Sequence, residues 1–515
     1  MNLTGSKWVN LIIIPVTIIL ITGLNYYNKN TQVEDVINND WSTSTPETEN
    51  MNPVLLDEMM EVISKESIPI DSVIVVRNGC IVKEEYPSSK GRDTKRKLWS
   101  ATKSITSALI GIAIQEGYIE GVDQKVLDYF PEITVTEQDR KKEITIKHLL
   151  TMTPGYQWDK SFHGSGMRAS VNPVQYVLDS PMVHNPGAVY NYGDGAPFLL
   201  GAILSKATGL STLEFATKYL FEPLNITEIY WENNGDEYFT ASGLHLLPRD
   251  MAKIGCLFLN EGKWGNEQII SPEWIEESTQ THFSGPGFMA GEDYYIDGYG
   301  YLWWINPDSG VYYASGMFEQ RIYICPELEL VVVFTAHNVG NDVTPRLLFK
   351  YILPSCIEYT PNRYDKYGVS FSYPRGMNVG EAPSPFAGGD ISEDSGFVQV
   401  SYSYPYESFS VMWYAKNEGT DQTTEIERLF SMIESDTNVI ERGAVYSMEV
   451  NGRSILYMSA NVTEDGYQTS GMIGCWFSYN DEKTNLSYYI ADPNDFTQKE
   501  IKNNFLDYIN SVQHE

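Results

Sequence analysis

An Asn-Gly pair between two β-branched runs is the feature that most restricts how this chain folds. The segment Ser72–Glu84 is β-branched on both sides of Asn78-Gly79, and Asn-Gly favours the two-residue turn that joins antiparallel strands. The next strand patterns along the chain come only after residue 309. They are Gly310–Ala314, Arg321–Cys325 and Leu328–Ala336. Strands at both ends with helices between them predict an antiparallel sheet covered by helices, which is an α+β fold.

Apolar residues recur at helical spacing in the stretch between these strands. The first such segment runs from Ser100 to Ile119 and has an apolar to largely buried pattern. Later segments predict helices at Ile146–Thr151, Pro197–Ala207, Leu213–Phe221, Pro248–Asn260, Pro272–Gln280 and Thr344–Leu353.

The length of 515 residues predicts two folded domains rather than one. We assign the first to residues 51–362. Shorter strand patterns and two helices, Thr423–Glu434 and Phe496–Val512, predict a small α+β domain of unknown role at residues 363–515. Residues 25–50 are rich in Asn, Thr, Ser, Asp and Glu, and they predict a flexible stalk within an N-terminal segment of residues 1–50.

The segment Trp8–Leu24 carries no charge and has about the minimum length that crosses a bilayer. It is interpreted as a retained transmembrane anchor, with a cleaved signal peptide as the alternative. Lys7 precedes it, and Glu34 and Asp35 follow it. This charge distribution predicts that the bulk of the chain lies outside the cytoplasm, either anchored to the membrane or secreted after cleavage.

Composition excludes several classes of function. The formal net charge of −32 argues against a nucleic-acid partner, because a phosphate backbone would be repelled. The five cysteines form no C-x-x-C motif, and the seven histidines form no H-E-x-x-H motif. We therefore expect neither a metal nor a cofactor.

Ser100-Ala101-Thr102-Lys103 is the Ser-x-x-Lys motif of this chain, and it lies where an extended stretch gives way to the first apolar helix. Residues three apart on a helix share a face, so the Lys103 ammonium can reach the Ser100 hydroxyl. A serine needs such help, because its hydroxyl does not ionise near neutral pH. A helix-capping serine beside a solvated lysine is the alternative for this motif taken alone.

Two later motifs supply further candidate site residues. Residues 186–194 read Pro-Gly-Ala-Val-Tyr-Asn-Tyr-Gly-Asp and precede an apolar helix. Tyr192 and Asp194 are the candidate site residues of this motif. Residues 312–320 read Tyr-Tyr-Ala-Ser-Gly-Met-Phe-Glu-Gln. In this order, the three motifs resemble those of the serine β-lactamase-like superfamily: class C β-lactamases, penicillin-binding proteins and 6-aminohexanoate-dimer hydrolases.

The resemblance covers roughly residues 53–359. It implies an antiparallel sheet flanked by helices, together with an all-helical subdomain. It also implies the roles of the site residues: Ser100 as nucleophile, Lys103 and Tyr192 as its catalytic partners, and the backbone N–H groups of Ser100 and Met317 as the oxyanion hole. Substrate-binding residues implied or expected are Asp194, Ala314, Ser315, Gly316 and Trp158, the last in a loop at Gln157–Met182 that is expected to overhang the site.

This sequence departs from the family pattern at Ala314, which replaces a basic residue, and at Asp194, where the family usually has Asn or Ser. The sequence predicts a serine hydrolase that cleaves a small-molecule or short-peptide ester or amide through an acyl-enzyme. Two alternatives stay open. The first is a catalytically inactive binding or scaffold protein, and Ala314 and Glu319 favour it. The second is a D-amino-acid peptidase acting on cell-wall peptides.

Overall fold

The computed structural model describes residues 41–515 with gaps. The residues not described after 41 are 137, 158–164, 236, 290–291, 308, 339–342, 357–361, 367–368, 374–377, 383–390, 393–394, 403–406, 416–421, 423, 427–437, 451–452, 465–466, 478–482, 492–504, 506–512 and 515. The predicted anchor Trp8–Leu24 lies outside the described residues, and so does most of the two helices predicted in the C-terminal domain. Those assignments stay predictions.

Two compact units make up the fold. The first extends to Val339 and also takes Ser355–Glu358; the second consists of Gly340–Pro354 and the residues from Tyr359 onward. The candidate site residues that the structure describes all belong to the first unit.

The first unit contains ten α-helices in its described residues. They are α1 Pro53–Lys65, α2 Thr102–Gln115, α3 Gln138–Lys141, α4 Ile146–Leu150, α5 Ser165–Ala169, α6 Pro173–Leu178, α7 Gly195–Thr208, α8 Thr212–Ala216, α9 Pro248–Leu259 and α10 Pro272–Thr279. A π-helical turn, Thr217–Phe221, continues α8.

The main sheet has nine strands: β1 Ile70–Arg77, β2 Cys80–Glu85, β4 Asn191–Tyr192, β9 Phe283–Met289, β10 Glu292–Tyr299, β11 Trp304–Asn306, β12 Val311–Gly316, β13 Gln320–Cys325 and β14 Leu330–Ala336. Their order across the sheet is β2-β1-β14-β13-β12-β11-β10-β9-β4. Five short strands lie outside this sheet: β3 Arg96–Lys97, β5 Tyr230–Trp231, β6 Leu244–Leu246, β7 Lys263–Trp264 and β8 Glu267–Gln268.

The predicted hairpin is confirmed as β1 and β2. At the turn, Asn78 and Gly79 have φ angles of 51° and 80°, the backbone conformation that makes Asn-Gly the preferred sequence for such turns. Neighbouring strands in the sheet run antiparallel, as predicted, except for β4, which pairs with β9 in parallel. The α+β fold class is therefore confirmed.

The helix that carries the Ser-x-x-Lys lysine lies at the centre of the core. Twelve consecutive residues of α2, Thr102–Ala113, are buried, and Ile105 and Leu109 have no exposed surface. Burying one such side chain stabilises the fold by about 1.5–3 kcal/mol. Two polar residues of α2 are anchored to its surroundings: Ser104 donates to the Leu302 carbonyl at 2.7 Å. Thr106 donates to the Thr240 carbonyl at 2.8 Å. Packing and these bonds together fix the position of α2.

Three predictions for the first unit need correction. The apolar helix begins at Thr102, not at Ser100. Strands β9 and β10 were not predicted, because Gly, Pro and acidic residues interrupt their apolar pattern. The stalk prediction is wrong for residues 41–50, since Trp41 is buried against Trp264 with ring centroids 6.5 Å apart. Ser44 also donates its backbone N–H to the Ile81 carbonyl at 3.1 Å.

The second unit is mainly antiparallel sheet in its described residues. Its strands are β15 Asn362–Lys366, β16 Val369–Tyr373, β17 Asn378–Ala382, β18 Gly396–Tyr402, β19 Glu407–Ala415, β20 Asn438–Val450, β21 Arg453–Glu464, β22 Tyr467–Phe477, β23 Lys483–Ala491 and β24 Gln513–His514. Seven of them form a sheet in the order β17-β18-β19-β23-β22-β21-β20, and three form a smaller sheet in the order β15-β16-β24. Helical segments in its described residues include α11 Thr344–Leu347, a π-helical turn Leu348–Ile352, α12 Leu353–Ser355, whose last residue belongs to the first unit, and residues 424–426.

No single helix in the part of the chain that the structure describes combines the length and the apolar composition needed to cross a membrane.

Candidate active site

Ser100 lies in a single 3₁₀ turn, Trp99–Ala101, that leads directly into α2. The residue before it, Trp99, has a φ angle of 49°, a left-handed conformation that costs a non-glycine residue energy. Two contacts hold the Trp99 ring in place: the Lys97 ammonium lies 4.2 Å from its centroid, and the Phe318 ring meets it edge-on at 5.3 Å. The half-buried Ser100 is thus presented on a tight turn fixed from two sides.

Lys103, in the first turn of α2, donates a hydrogen bond to the Ser100 hydroxyl. Its Nζ lies 3.0 Å from Ser100 Oγ. It also donates to Asp194 Oδ1 at 2.8 Å and to the Ala241 carbonyl at 3.0 Å. An ammonium has three N–H donors, which matches these three oxygen partners, and the Tyr192 side chain also hydrogen-bonds Lys103. The spacing of the Ser-x-x-Lys motif therefore brings the two side chains together, as the sequence analysis expected.

Tyr192 reaches Lys103 from the end of β4, and Asp194 reaches it from the start of α7. The Lys103 Nζ lies 4.9 Å from the centroid of the Tyr192 ring. Asp194 is the N-cap residue of α7, yet its side chain does not cap the helix. Its carboxylate instead pairs with Lys103. Two motifs separated by about ninety residues thus converge on one ammonium group.

The electrostatics of this group favour a charged lysine. The Lys103 side chain is 2% exposed, and burial by itself lowers the pKa of a lysine. The attraction of Asp194 and Tyr192 outweighs burial here, so the pKa of Lys103 lies above its ordinary value. Lys103 consequently remains an ammonium at neutral pH, and it is not available as a proton acceptor.

The third motif packs its glycine against the nucleophile turn. A Cβ added to Gly316 would lie 2.0 Å from the Leu98 carbonyl oxygen and 3.1 Å from the Ala101 nitrogen. Only glycine permits this approach. Gly316 was predicted as a substrate-binding residue, and the close contact that it makes in the structure is with the chain's own backbone. It places the end of β12 beside Ser100.

The turn after Gly316 carries Met317, whose N–H is the predicted second oxyanion donor. Met317 is 58% exposed, and the next residues, Phe318 and Glu319, have φ angles of 64° and 68°. Neither the Met317 N–H nor the Ser100 N–H makes a hydrogen bond to another of the described residues. Both donors are free to point at a ligand, and their role stays a prediction.

The remaining candidate residues differ in their placement. Ser315 is half-buried on β12. Ala314 is fully buried opposite Ile322, in the core between sheet and helices. The methyl group therefore fills core space where family members carry a basic side chain. Trp158 lies outside the described residues.

A cluster around Glu232 adjoins the site and was missed by sequence reasoning. Glu232 accepts hydrogen bonds from Lys97 at 2.6 Å and Arg168 at 3.0 Å, and it lies 3.2 Å from His245 Nε2. Partial burial opposes its charge, but these partners outweigh burial and lower the pKa of Glu232 to about 2. The four residues come from four separate segments, so no local motif reveals the cluster.

This cluster connects to the residues that hold Lys103. Arg168 donates to Ser242 Oγ at 2.8 Å, and Ser242 follows Ala241, whose carbonyl accepts from Lys103. Lys97 lies against Trp99, next to the nucleophile. Glu232 therefore holds, through Lys97 and Arg168, residues that contact the neighbours of both Ser100 and Lys103.

Among the described residues, no group of three or more His, Cys, Asp and Glu side chains is arranged to hold a metal ion. What the site offers is a serine hydroxyl, an ammonium, a phenol and two backbone N–H groups.

Comparisons with known proteins give a family match and distant relatives. The family model described as Beta-lactamase matches residues 55–354. A protein of Staphylococcus aureus (strain MRSA252) described as "Protein flp" is 24% identical over 315 residues, covering 56% of this chain and 62% of that protein. This chain thus spans less than two thirds of that relative's length.

The 6-aminohexanoate-dimer hydrolase of Paenarthrobacter ureafaciens is 22% identical over 287 residues, covering 51% of this chain and 71% of that enzyme. Among solved structures, the octameric penicillin-binding protein homologue from Pyrococcus abyssi is 16% identical, with a TM-score of 0.49. That match covers 84% of this chain and 99% of the other.

Proposed function

Because this chain belongs to the beta-lactamase family of hydrolases, we propose that it is an extracytoplasmic serine hydrolase that opens an ester or amide bond through an acyl-enzyme on Ser100. The observation that supports this most strongly is the 3.0 Å hydrogen bond from a buried Lys103 ammonium to the Ser100 hydroxyl. A lysine held charged beside a serine and a tyrosine is a costly arrangement that packing alone does not require.

In the acylation step, the Ser100 oxygen attacks the carbonyl carbon and its proton passes to the Tyr192 side-chain oxygen. Tyr192 takes this role because Lys103 is already protonated, and because the Tyr192 ring lies 4.9 Å from the Lys103 Nζ, beside the nucleophile. The C–O or C–N bond then breaks, and Tyr192 returns the proton to the leaving alkoxide or amine. Water releases the acid by the same path in reverse.

The oxyanion of the tetrahedral intermediate would be held by the N–H groups of Ser100 and Met317. Gly316 supports this role, since its lack of a side chain brings the end of β12 against the nucleophile turn. Backbone donors fixed in this way stabilise developing charge without reorganising during the reaction.

Replacing Ser100 with alanine tests the nucleophile. Turnover of a p-nitrophenyl acylate should fall on the order of 10⁶-fold if Ser100, Lys103 and Tyr192 act as a unit. Ser107→Ala is the matched control, because Ser107 is buried on the same helix and its hydroxyl has no hydrogen-bond partner among the described residues. A modest loss in Ser100→Ala, or equal losses in both variants, would contradict the assignment.

Labelling with a fluorophosphonate separates this proposal from a catalytically inactive binding protein. The wild type should form a covalent adduct at Ser100 that mass spectrometry locates on its peptide, and Ser107→Ala should form it as well. A folded wild type that does not react would favour the inactive alternative.

The location outside the cytoplasm rests on the uncharged segment Trp8–Leu24 and on Lys7 before it. Protease added to intact expressing cells should digest the full-length chain, whereas a variant that lacks residues 1–40 should be protected. Protection of the full-length chain would contradict this part of the proposal.

A further inference from the structure

Three aromatic side chains form a continuous row that starts at the proposed proton acceptor. The row consists of Tyr192, Trp304 and Tyr313. The Tyr192 and Trp304 ring centroids are 5.6 Å apart, and Trp304 and Tyr313 are stacked at 6.4 Å with their planes 17° apart. Each of the three keeps part of its surface exposed.

The sheet register fixes this row in place. Trp304 on β11 lies directly opposite Tyr313 on β12 and opposite Tyr299 on β10, and side chains opposite each other across strands lie side by side. The fully buried Tyr299 meets the Trp304 ring edge-on at 5.0 Å. Trp304 therefore has a rigid support on one side, while its partly exposed surface remains available for contact.

The cations that lie near Ser100 in the described residues are already paired with carboxylates. Lys103 is paired with Asp194 at 2.8 Å. Lys97 and Arg168 are both paired with Glu232, at 2.6 Å and 3.0 Å. A substrate carboxylate near the reacting bond would have to compete with a protein carboxylate for each of these cations, and competition of this kind opposes binding.

The chemistry of Tyr192 decides which part of the substrate meets the row. The phenol returns its proton to the atom that leaves, so the leaving group must lie next to Tyr192 and, with it, next to Trp304. Resting on the proposed function, we infer that the site takes substrates whose leaving group is uncharged and apolar or aromatic, and that Trp304 and Tyr313 are its specificity-determining residues.

The first test varies only the leaving group at constant acyl group. In a series of straight-chain alkyl acetates, each added methylene should raise kcat/KM about threefold to fourfold until the chain outgrows the row. In the matched pair 4-acetoxybenzamide and 4-acetoxybenzoate, which have nearly the same size, the neutral amide should be hydrolysed at least tenfold more efficiently. Equal rates, or preference for the carboxylate, would overturn the inference.

The second test removes the row. Trp304→Ala and, separately, Tyr313→Ala should flatten the dependence of kcat/KM on chain length, so that kcat/KM no longer rises from methyl acetate to the longer acetates. Tyr313→Ala keeps the test valid should Trp304→Ala fail to fold. Tyr118→Ala is the control: Tyr118 is 38% exposed and packs against Phe215 and Tyr219, away from the row.

The outcomes distinguish this inference from the proposed function. An enzyme that reacts with fluorophosphonate at Ser100 and hydrolyses every ester at the same rate would overturn the inference alone. A chain that hydrolyses no ester and leaves Ser100 unlabelled would overturn both.

Discussion

Replacing Asp194 with asparagine removes one charge beside Lys103 while the shape of the side chain is kept. The asparagine oxygen can still accept the hydrogen bond that Asp194 Oδ1 accepts at 2.8 Å. The buried Lys103 ammonium, in contrast, loses its compensating charge. Removing one partner of a fully buried ion pair lowers the free energy of unfolding by about 3–5 kcal/mol. Because the Asp194 side chain is 24% exposed, we expect a value below that range, about 2–3 kcal/mol.

The consequence is a change in the pH dependence of catalysis. In the wild type, Asp194 and Tyr192 outweigh burial and raise the pKa of Lys103. Without the Asp194 charge, burial dominates and the pKa falls. The alkaline limb of the kcat/KM profile should therefore move to lower pH.

The assay is the pH profile of kcat/KM on a p-nitrophenyl acylate, with folding verified by circular dichroism at each pH. Asp250→Asn is the matched control, because Asp250 is 8% exposed and pairs with Lys253 at 3.1 Å on another helix. It should leave the alkaline limb where it is. An unchanged limb in Asp194→Asn, or a shift to higher pH, would refute the conclusion that Asp194 keeps Lys103 charged.

Two further substitutions test the supports of the site. Gly316→Ala places a methyl group 2.0 Å from the Leu98 carbonyl oxygen, and it should lower the free energy of unfolding, measured by urea denaturation, by about 2–3 kcal/mol. Gly91→Ala is the control, because Gly91 has open space around it, and it should leave the free energy of unfolding unchanged. Equal effects of the two substitutions would contradict the close packing. Glu232→Gln should lower kcat/KM about tenfold, because displacements of the order of 1 Å at an active site slow the reaction. Glu228→Gln is the control, because Glu228 is exposed, and it should change kcat/KM little. An unchanged kcat/KM in Glu232→Gln would show that the cluster does not position the site. The lowered pKa of Glu232 predicts a stability contribution that is present above pH 4.5 and is lost as the pH falls towards 2, so Glu232→Gln should show less acid sensitivity than the wild type in thermal unfolding.

The amino-acid sequence by itself determined the features that depend on local patterns. The Asn78-Gly79 hairpin follows from a turn that these two residues favour at positive φ. The helix around Ile105 and Leu109 follows from apolar spacing, and the Ser100–Lys103 contact follows from the i, i+3 geometry of a helix start. In each case, residues close in sequence carry the information.

The tertiary structure alone decided what residues distant in sequence do together. Glu232 meets Lys97, Arg168 and His245 from separate segments, and the carbonyl that accepts from Lys103 belongs to Ala241, whose side chain gives no signal. The pairing of Trp304 with Tyr313 depends on strand register. Such contacts arise from packing of the whole sheet and its helices, so periodicity and motif spacing cannot predict them.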